Sequence, residues 1–255
     1  MTDKLIISKK NDIAMITFHD PPMNLLTAQL TSECFSALEN IEQDDSVHAV
    51  IITGSGEKAF MAGADINEFI SEDAIYRKTL SIQQLFNKLE NIPKCTIALL
   101  NGYTLGGGME LALCCDFRIA ESHVKLGFPE VKLGLLPAAG GTQRLTRLIG
   151  ISKAKELLFT GETISAHEAL NLGIVNKVVE KGNGEKAAME IAERIAALPK
   201  EAIAKIKRLV NRAHDTPLLE GLELELNQLC ELYKTENAKE GILAFKEKRK
   251  PIFNK

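Results

Sequence analysis

Residues 101–130, NGYTLGGGMELALCCDFRIAESHVKLGFPE, constrain this chain more than any other stretch. An uninterrupted apolar run, CTIALL, ends at Asn101-Gly102 and follows Pro93, so it reads as a buried strand. The consecutive glycines Gly106, Gly107 and Gly108 then lead straight into Met109-Glu110-Leu111-Ala112-Leu113, an apolar segment with no breaker. That segment is expected to form the first turns of a helix. A strand, a glycine turn and a helix N-terminus leave backbone N–H groups free at the positive end of a helix dipole. Glycine also lets a ligand come close to the backbone. Glu110 sits in the first helical turn, beside whatever those N–H groups bind. A second carboxylate, Glu130, follows Pro129 after a strand-like piece over 124–128.

By itself this pattern is also compatible with a tight turn flanked by two solvated carboxylates. A second block of the same character changes the balance. Phe60-Met61-Ala62-Gly63-Ala64-Asp65-Ile66 again places small residues after an expected strand, 49–53, with Asp65 as a helix N-cap. Two such turns can each give one N–H to a single oxygen that becomes negative during a reaction, which is an oxyanion hole.

These blocks carry a family resemblance. Ala62-Gly63-Ala64-Asp65-Ile66, Asn101-Gly102-Tyr103 through Glu110, Phe128-Pro129-Glu130, and Pro137-Ala138-Ala139-Gly140-Gly141-Thr142-Gln143-Arg144-Leu145 together resemble the enoyl-CoA hydratase (crotonase) family. The likeness runs in order from about Lys4 to the tail Phe245-Lys246-Glu247-Lys248-Arg249. It implies an α/β fold, a crotonase-like spiral of β-β-α turns with a C-terminal helical oligomerisation region. The expected regions are 1–198, the spiral catalytic core, and 199–255, the helical region forming a trimer or a dimer of trimers.

Composition narrows the classes. A chain of 255 residues, 45% of them hydrophobic, can bury an ordinary core, and no apolar run reaches membrane-span length. The N-terminus MTDKLIISKK has neither a signal-peptide core nor the Arg-rich character of a transit peptide, so the mature protein is expected to start here and stay in the cytoplasm. A net charge of −3 gives no electrostatic case for nucleic acid. Cys34, Cys95, Cys114, Cys115 and Cys230 lie in apolar segments without C-x-x-C spacing and are expected to be reduced core residues. The scattered histidines offer no metal spacing, so no metal is expected.

Along the chain, 5–8 and 13–19 read as a hairpin and 27–43 as an amphipathic helix. Gly54-x-Gly56-x-x-Ala59 loosely matches a dinucleotide fingerprint, but no helix follows at once and no acidic residue ends a second strand, so it reads as a turn. A helix is expected over 73–91, then short helices over 142–148 and 153–159. Ser165-Ala166-His167-Glu168 is a capping box, and 174–179 is the last expected strand. Helices over 185–197, 201–213, 217–233 and 236–248 complete the chain, with Thr216-Pro217 as cap and first helical residue.

Hydrating an α,β-unsaturated thioester needs donors at the carbonyl oxygen, a carboxylate that orients water and an acid that protonates the α-carbon. The resemblance implies the backbone N–H groups of Ala64 and Gly107 as donors, Glu110 as the group activating water and Glu130 as the proton donor. It points to Met23, Asn24, Leu25, Met61 and Ala62 along the coenzyme path, to the Ala138 N–H for water, and to Lys248 for phosphate. Ala138 stands where the family often has glycine. No separate cofactor is implied, since the coenzyme A thioester is itself the substrate. The rivals are an enoyl-CoA isomerase on the same scaffold, which needs no water held between two carboxylates, and an RNA-binding or structural member of the fold.

Overall fold

The structure, a computed structural model, describes residues 4–254. Residues 1–3 and 255, the outermost residues of the two expected regions, lie outside the described residues. Strands β1 (Leu5–Lys10) and β2 (Ile13–Phe18) form the expected antiparallel hairpin. Helix α1 (Ala28–Gln43) follows, capped by Thr27, whose hydroxyl accepts from the Leu30 N–H at 3.1 Å. Next come β3 (Ala49–Gly54), β4 (Ala59–Met61) and helix α2 (Glu72–Asn91). The sequence then gives β5 (Cys95–Leu100), β6 (Tyr103–Leu105) and α3 (Gly107–Cys114), and after them β7 (Phe117–Glu121) and β8 (Lys125–Gly127).

Each of these three turns puts one strand into each of two sheets. β3, β5 and β7 continue a mainly parallel sheet of order β1-β2-β3-β5-β7-β10, where β10 is Lys177–Val179. β4, β6 and β8 form a second sheet that ends in the antiparallel strand β9 (Thr163–Ser165). That is the expected spiral. β3 and β5 are buried along their whole length because both faces are covered, as parallel strands require. Val50 and Ile52 join one core with Leu30 and Leu38 of α1 and Leu85 and Leu89 of α2. The alternate residues Ala49 and Ile51 join another with Ala187, Ala188 and Ala192 of α7 (Gly184–Ala196).

Between β8 and β10 in the chain come α4 (Gly141–Ile149), α5 (Ile151–Thr160) and, after β9, α6 (Ala166–Asn171), the last opened by the expected Ser165/Glu168 capping box. The chain closes with α8 (Lys200–Arg212), α9 (Leu218–Leu232) and α10 (Glu236–Glu247). Lys207 fastens α8 to the sheet: its buried ammonium donates to Asp116 Oδ2 at 2.9 Å and to the Lys94 carbonyl at 3.0 Å.

Four expectations on local structure need correction. The short strands β4, β6, β7 and β9 were not read from the sequence; β4, β6 and β9 have three residues each, too few to show a period of two. Of 174–179 only Lys177–Val179 is strand, while Ile174 and Val175 turn into the core. Pro217 stands at the N-cap of α9 rather than at its first helical position, and Thr216 makes no capping bond. Cys230 is exposed, unlike the other cysteines. The loop after Gly54 leads into strand β4 and not a helix, in keeping with its reading as a turn. Among the described residues no helix is long and apolar enough to cross a membrane.

Candidate active site

Glu110 occupies the first turn of α3, and its side chain is buried, with the residue 4% exposed. The helix lies directly on β4. A Cβ on Gly108 would stand 2.1 Å from the Met61 carbonyl oxygen, so only glycine permits that approach. Across the cavity the chain enters α4 through Pro137, Ala138, Ala139 and Gly140. The backbone N–H groups of Ala139 and Gly141 donate to Glu110 Oε1 at 2.7 and 2.8 Å. Burial pushes the Glu110 carboxyl up to about 7, and the nearby Glu130 adds to the rise. The Gly141 and Ala139 N–H bonds and the Arg144 guanidinium oppose it.

Glu130 projects from a 3-10 turn, Pro129–Leu133, that ends at Gly134 in the left-handed region. Its Oε2 is buried and is the buried side-chain oxygen without a hydrogen-bond partner among the described residues. Leaving such a group unmatched costs about 1–3 kcal/mol. Burial raises its carboxyl above the ordinary range. Gly106, at φ 51°, makes room: a Cβ there would lie 2.7 Å from Glu130 Oε1. The two carboxyls therefore flank one space, both shifted toward the neutral form.

The same space is bordered by the two glycine-rich turns. Ala64 bridges Leu26 in parallel, using the N–H groups of Leu26 and Asp65 and not its own. Gly107 is the first residue of α3, so its N–H has no acceptor within the helix. The Ala64 nitrogen lies 3.6 Å from where a Cβ on Gly107 would be, which brings the two N–H groups to the same wall. Lys78, buried on α2, holds the 65–69 turn by donating to the Asp65 carbonyl at 2.9 Å and pairing with Glu68 at 2.6 Å. Glu68 in turn accepts from the Ala28 N–H at the start of α1.

Ala64, Gly107, Glu110, Glu130, Ala62 and Ala138 all line one cavity of about 440 Å³. Its remaining walls are mostly apolar, with Leu26, Phe69, Ile75, Ile82 and Leu136 among them. Met23 and Leu25 are half-buried on the adjoining loop, where the Met23 carbonyl accepts from the Ala62 N–H at 3.0 Å. Asn24 and Met61 are fully buried. The Asn24 amide donates to the Ala59 and Ser55 carbonyls, so its side chain shapes the loop and offers no free surface. Lys248 is exposed at the C-cap of α10 and does not line the cavity. Among the described residues no group of three or more His, Cys, Asp or Glu could hold a metal ion.

The N–H groups that reach Glu110 belong to Ala139 and Gly141, donors the sequence reading did not assign; Ala138, expected to hold the water, lines the cavity beside them. The available signal was Gly140-Gly141 opening α4, since a helix start carries free donors. Arg144, within the 137–145 motif, carries no local signal of its partners. It is bonded to Glu90 and to the carbonyl of Ala139.

A family model described as Enoyl-CoA hydratase/isomerase matches residues 8–255. The chain is 41% identical over 251 residues to the short-chain-enoyl-CoA hydratase of Clostridium acetobutylicum, covering 97% of this chain and 96% of the relative. It is 39% identical to the crotonyl-CoA hydratase of Syntrophomonas wolfei, covering 98% of each. The crystal structure of an enoyl-CoA hydratase from Bacillus anthracis superposes with a TM-score of 0.95 at 38% identity, covering 98% of this chain and 99% of that one.

Proposed function

This chain belongs to the enoyl-CoA hydratase/isomerase family, and on that premise we propose that it adds water across the 2,3 double bond of a trans-2-enoyl-CoA to give the 3-hydroxyacyl-CoA. The observation that carries the reading is the pair Glu110 and Glu130, two buried carboxyls flanking one apolar cavity beside two unspent backbone N–H groups.

The thioester carbonyl oxygen accepts from Ala64 and Gly107, so electron density drawn from the double bond gathers where donors already stand. That leaves the β-carbon electrophilic. Water between the two carboxyls is oriented by Glu110, whose own Oε1 is held by Ala139 and Gly141. Glu110 takes the water proton as the C–O bond forms, and Glu130 gives a proton to the α-carbon. Two carboxyls gripping one water titrate as a pair, and burial favours a state with one proton between them. An isomerase needs only one proton-shuttling carboxyl at the α- and γ-carbons, so retention of both groups favours hydration. Coenzyme A arrives with the substrate, and its phosphates are assigned to Lys248 of the same or a neighbouring subunit.

The short-chain and crotonyl names of the relatives favour small acyl groups. A panel of enoyl-CoA thioesters from crotonyl to long-chain and branched tests this, with hydration of crotonyl-CoA expected at a high rate and no turnover of any member overturning the function. Segment 72–80 sets chain length, because Ile75 and Thr79 within it line the cavity. Exchanging that segment with the one from a long-chain relative is expected to lengthen the preferred acyl chain; an unchanged profile removes the segment from specificity.

The protein works as a trimer or dimer of trimers in the cytoplasm, with residues 199–255 as the assembling region. Helix α9 buries none of its residues, and Leu218, Leu219, Leu226 and Leu229 stand more than half exposed at 76%, 81%, 61% and 63%. Covering one such side chain contributes about 1.5–3 kcal/mol. Light scattering at micromolar concentration is expected to give the mass of a trimer or its multiple, and a monomer would contradict the assignment. Nucleic acid is not a partner on this reading, given the net charge of −3.

A further inference from the structure

We propose that Arg144 and Glu90 are positioning residues for the general base: their ion pair, anchored on α2, fixes the backbone loop that holds Glu110. This rests on the hydration reading above. The loop 138–141 carries the two N–H donors to Glu110 Oε1, and α2 grips it from outside. Arg144 Nη1 donates to the Ala139 carbonyl at 3.1 Å, on the residue whose N–H reaches Glu110. Its Nε and Nη2 meet Glu90 Oε1 and Oε2 at 3.1 and 2.8 Å, a two-point pair, and Nη2 also donates to Asn87 Oδ1 at 2.8 Å. One α2 turn earlier, Gln83 Nε2 donates to the Ala138 carbonyl at 2.6 Å.

The arrangement depends on the fork geometry of a guanidinium, which a lysine lacks. It also depends on Gly140, since a Cβ there would overlap Arg144 Nη1. A loop that merely needed closing could do so through the backbone bond from the Arg144 N–H to the Gly140 carbonyl. Gln83 holds the Ala138 carbonyl, in the same planar peptide as the Ala139 N–H. Arg144 holds the Ala139 carbonyl, in the next peptide between the two donors, so together they fix how the loop presents both N–H groups. Misplacing a catalytic group by about 1 Å is worth roughly 10²-fold in rate.

Charge provides the second link. The ionisable groups around Glu110 are Glu130 on its 3-10 turn, Arg144 on α4, Cys114 on α3 itself and, beyond Arg144, Glu90 on α2. Arg144 favours the ionised base, and Glu90, paired with Arg144 at 2.8 Å, is expected to offset part of that charge. Removing each should therefore move the titration of Glu110 in opposite directions, which a structural role alone does not predict.

The experiment compares Arg144→Met, Arg144→Lys and Glu90→Gln in the full-length protein, by the pH profile of kcat on crotonyl-CoA and by 13C NMR titration of glutamate carboxyls, assigned through Glu110→Gln. Arg144→Met is expected to lower kcat about 10–100-fold and move the acidic limb to higher pH. Glu90→Gln is expected to move it to lower pH. Arg144→Lys is expected to restore the limb but not kcat, because charge returns without the fork. If neither limb moves, or if all three variants keep kcat within about twofold of the parent, the proposal is overturned. The NMR titration reads the same shifts without turnover. A parent inactive on every thioester would sink the function while leaving this coupling testable, and unmoved NMR titrations in an active parent would sink the coupling alone.

Discussion

Replacing Glu110 by glutamine is expected to slow hydration of crotonyl-CoA about 10²–10⁴-fold, the usual contribution of a positioned base. Glutamine keeps an oxygen for the Ala139 and Gly141 N–H groups but cannot take a proton from water. Affinity for the acyl-CoA should change little, because the thioester oxygen is assigned to Ala64 and Gly107, which the substitution leaves alone. Stability should move the opposite way from activity. The raised carboxyl means that the folded protein still holds a proton that the unfolded chain has released, between the ordinary 4.5 and about 7. Stability therefore falls as pH rises through that window, and the loss is complete above it. Glutamine has no charge to bury. Glu110→Gln is expected to raise Tm at pH 8 by roughly 6–12 °C, for a linkage on the order of 3 kcal/mol, and to change it little at pH 4. A lower Tm at pH 8 would mean that Glu110 is not held against a desolvation cost.

The largest structural effect is expected at Gly108. An alanine Cβ there would sit 2.1 Å from the Met61 carbonyl oxygen and 2.8 Å from the Met61 carbonyl carbon, both backbone atoms of β4. Neither can rotate away, so α3 must lift from the sheet. The expected cost is about 3 kcal/mol, at the upper end of overpacking, and activity should fall with it because α3 carries both Glu110 and the Gly107 N–H. Gly221→Ala on α9 is the control. Within one subunit nothing lies within 4 Å of its added methyl and alanine suits a helix better, so this change adds no clash inside the fold. Thermal unfolding of both variants checks the pair; a Gly108→Ala protein as stable as the parent would contradict the close contact between α3 and β4.

Much of the first sheet could be read from the chain because β3 and β5 are unbroken apolar runs and α1 and α2 show a clean helical spacing. The second sheet could not, since a strand such as β6, Tyr103–Leu105, between Gly102 and Gly106 has no periodicity to display. The spiral came only through the family resemblance. Glu110 and Glu130 were legible because each sits in a motif with glycine or proline beside it. The grip on Glu110 was not. Its donors come from a loop about thirty residues on, and the Arg144–Glu90 pair that holds that loop joins residues 54 apart. Pairings of that range follow from how α2, α3 and α4 pack, which no local pattern encodes.

The claim that two carboxyls act on one water is tested most directly by a double-mutant cycle. kcat/KM for crotonyl-CoA would be measured for the parent, Glu110→Gln, Glu130→Gln and the double variant, with 3-enoyl isomerisation followed on the same proteins. Both single changes are expected to be severe, and the double variant should be about as slow as the worse single one, because groups that serve one water fail as a unit. Losses that multiply in the double variant, or either single variant hydrating at near the parental rate, would contradict the account.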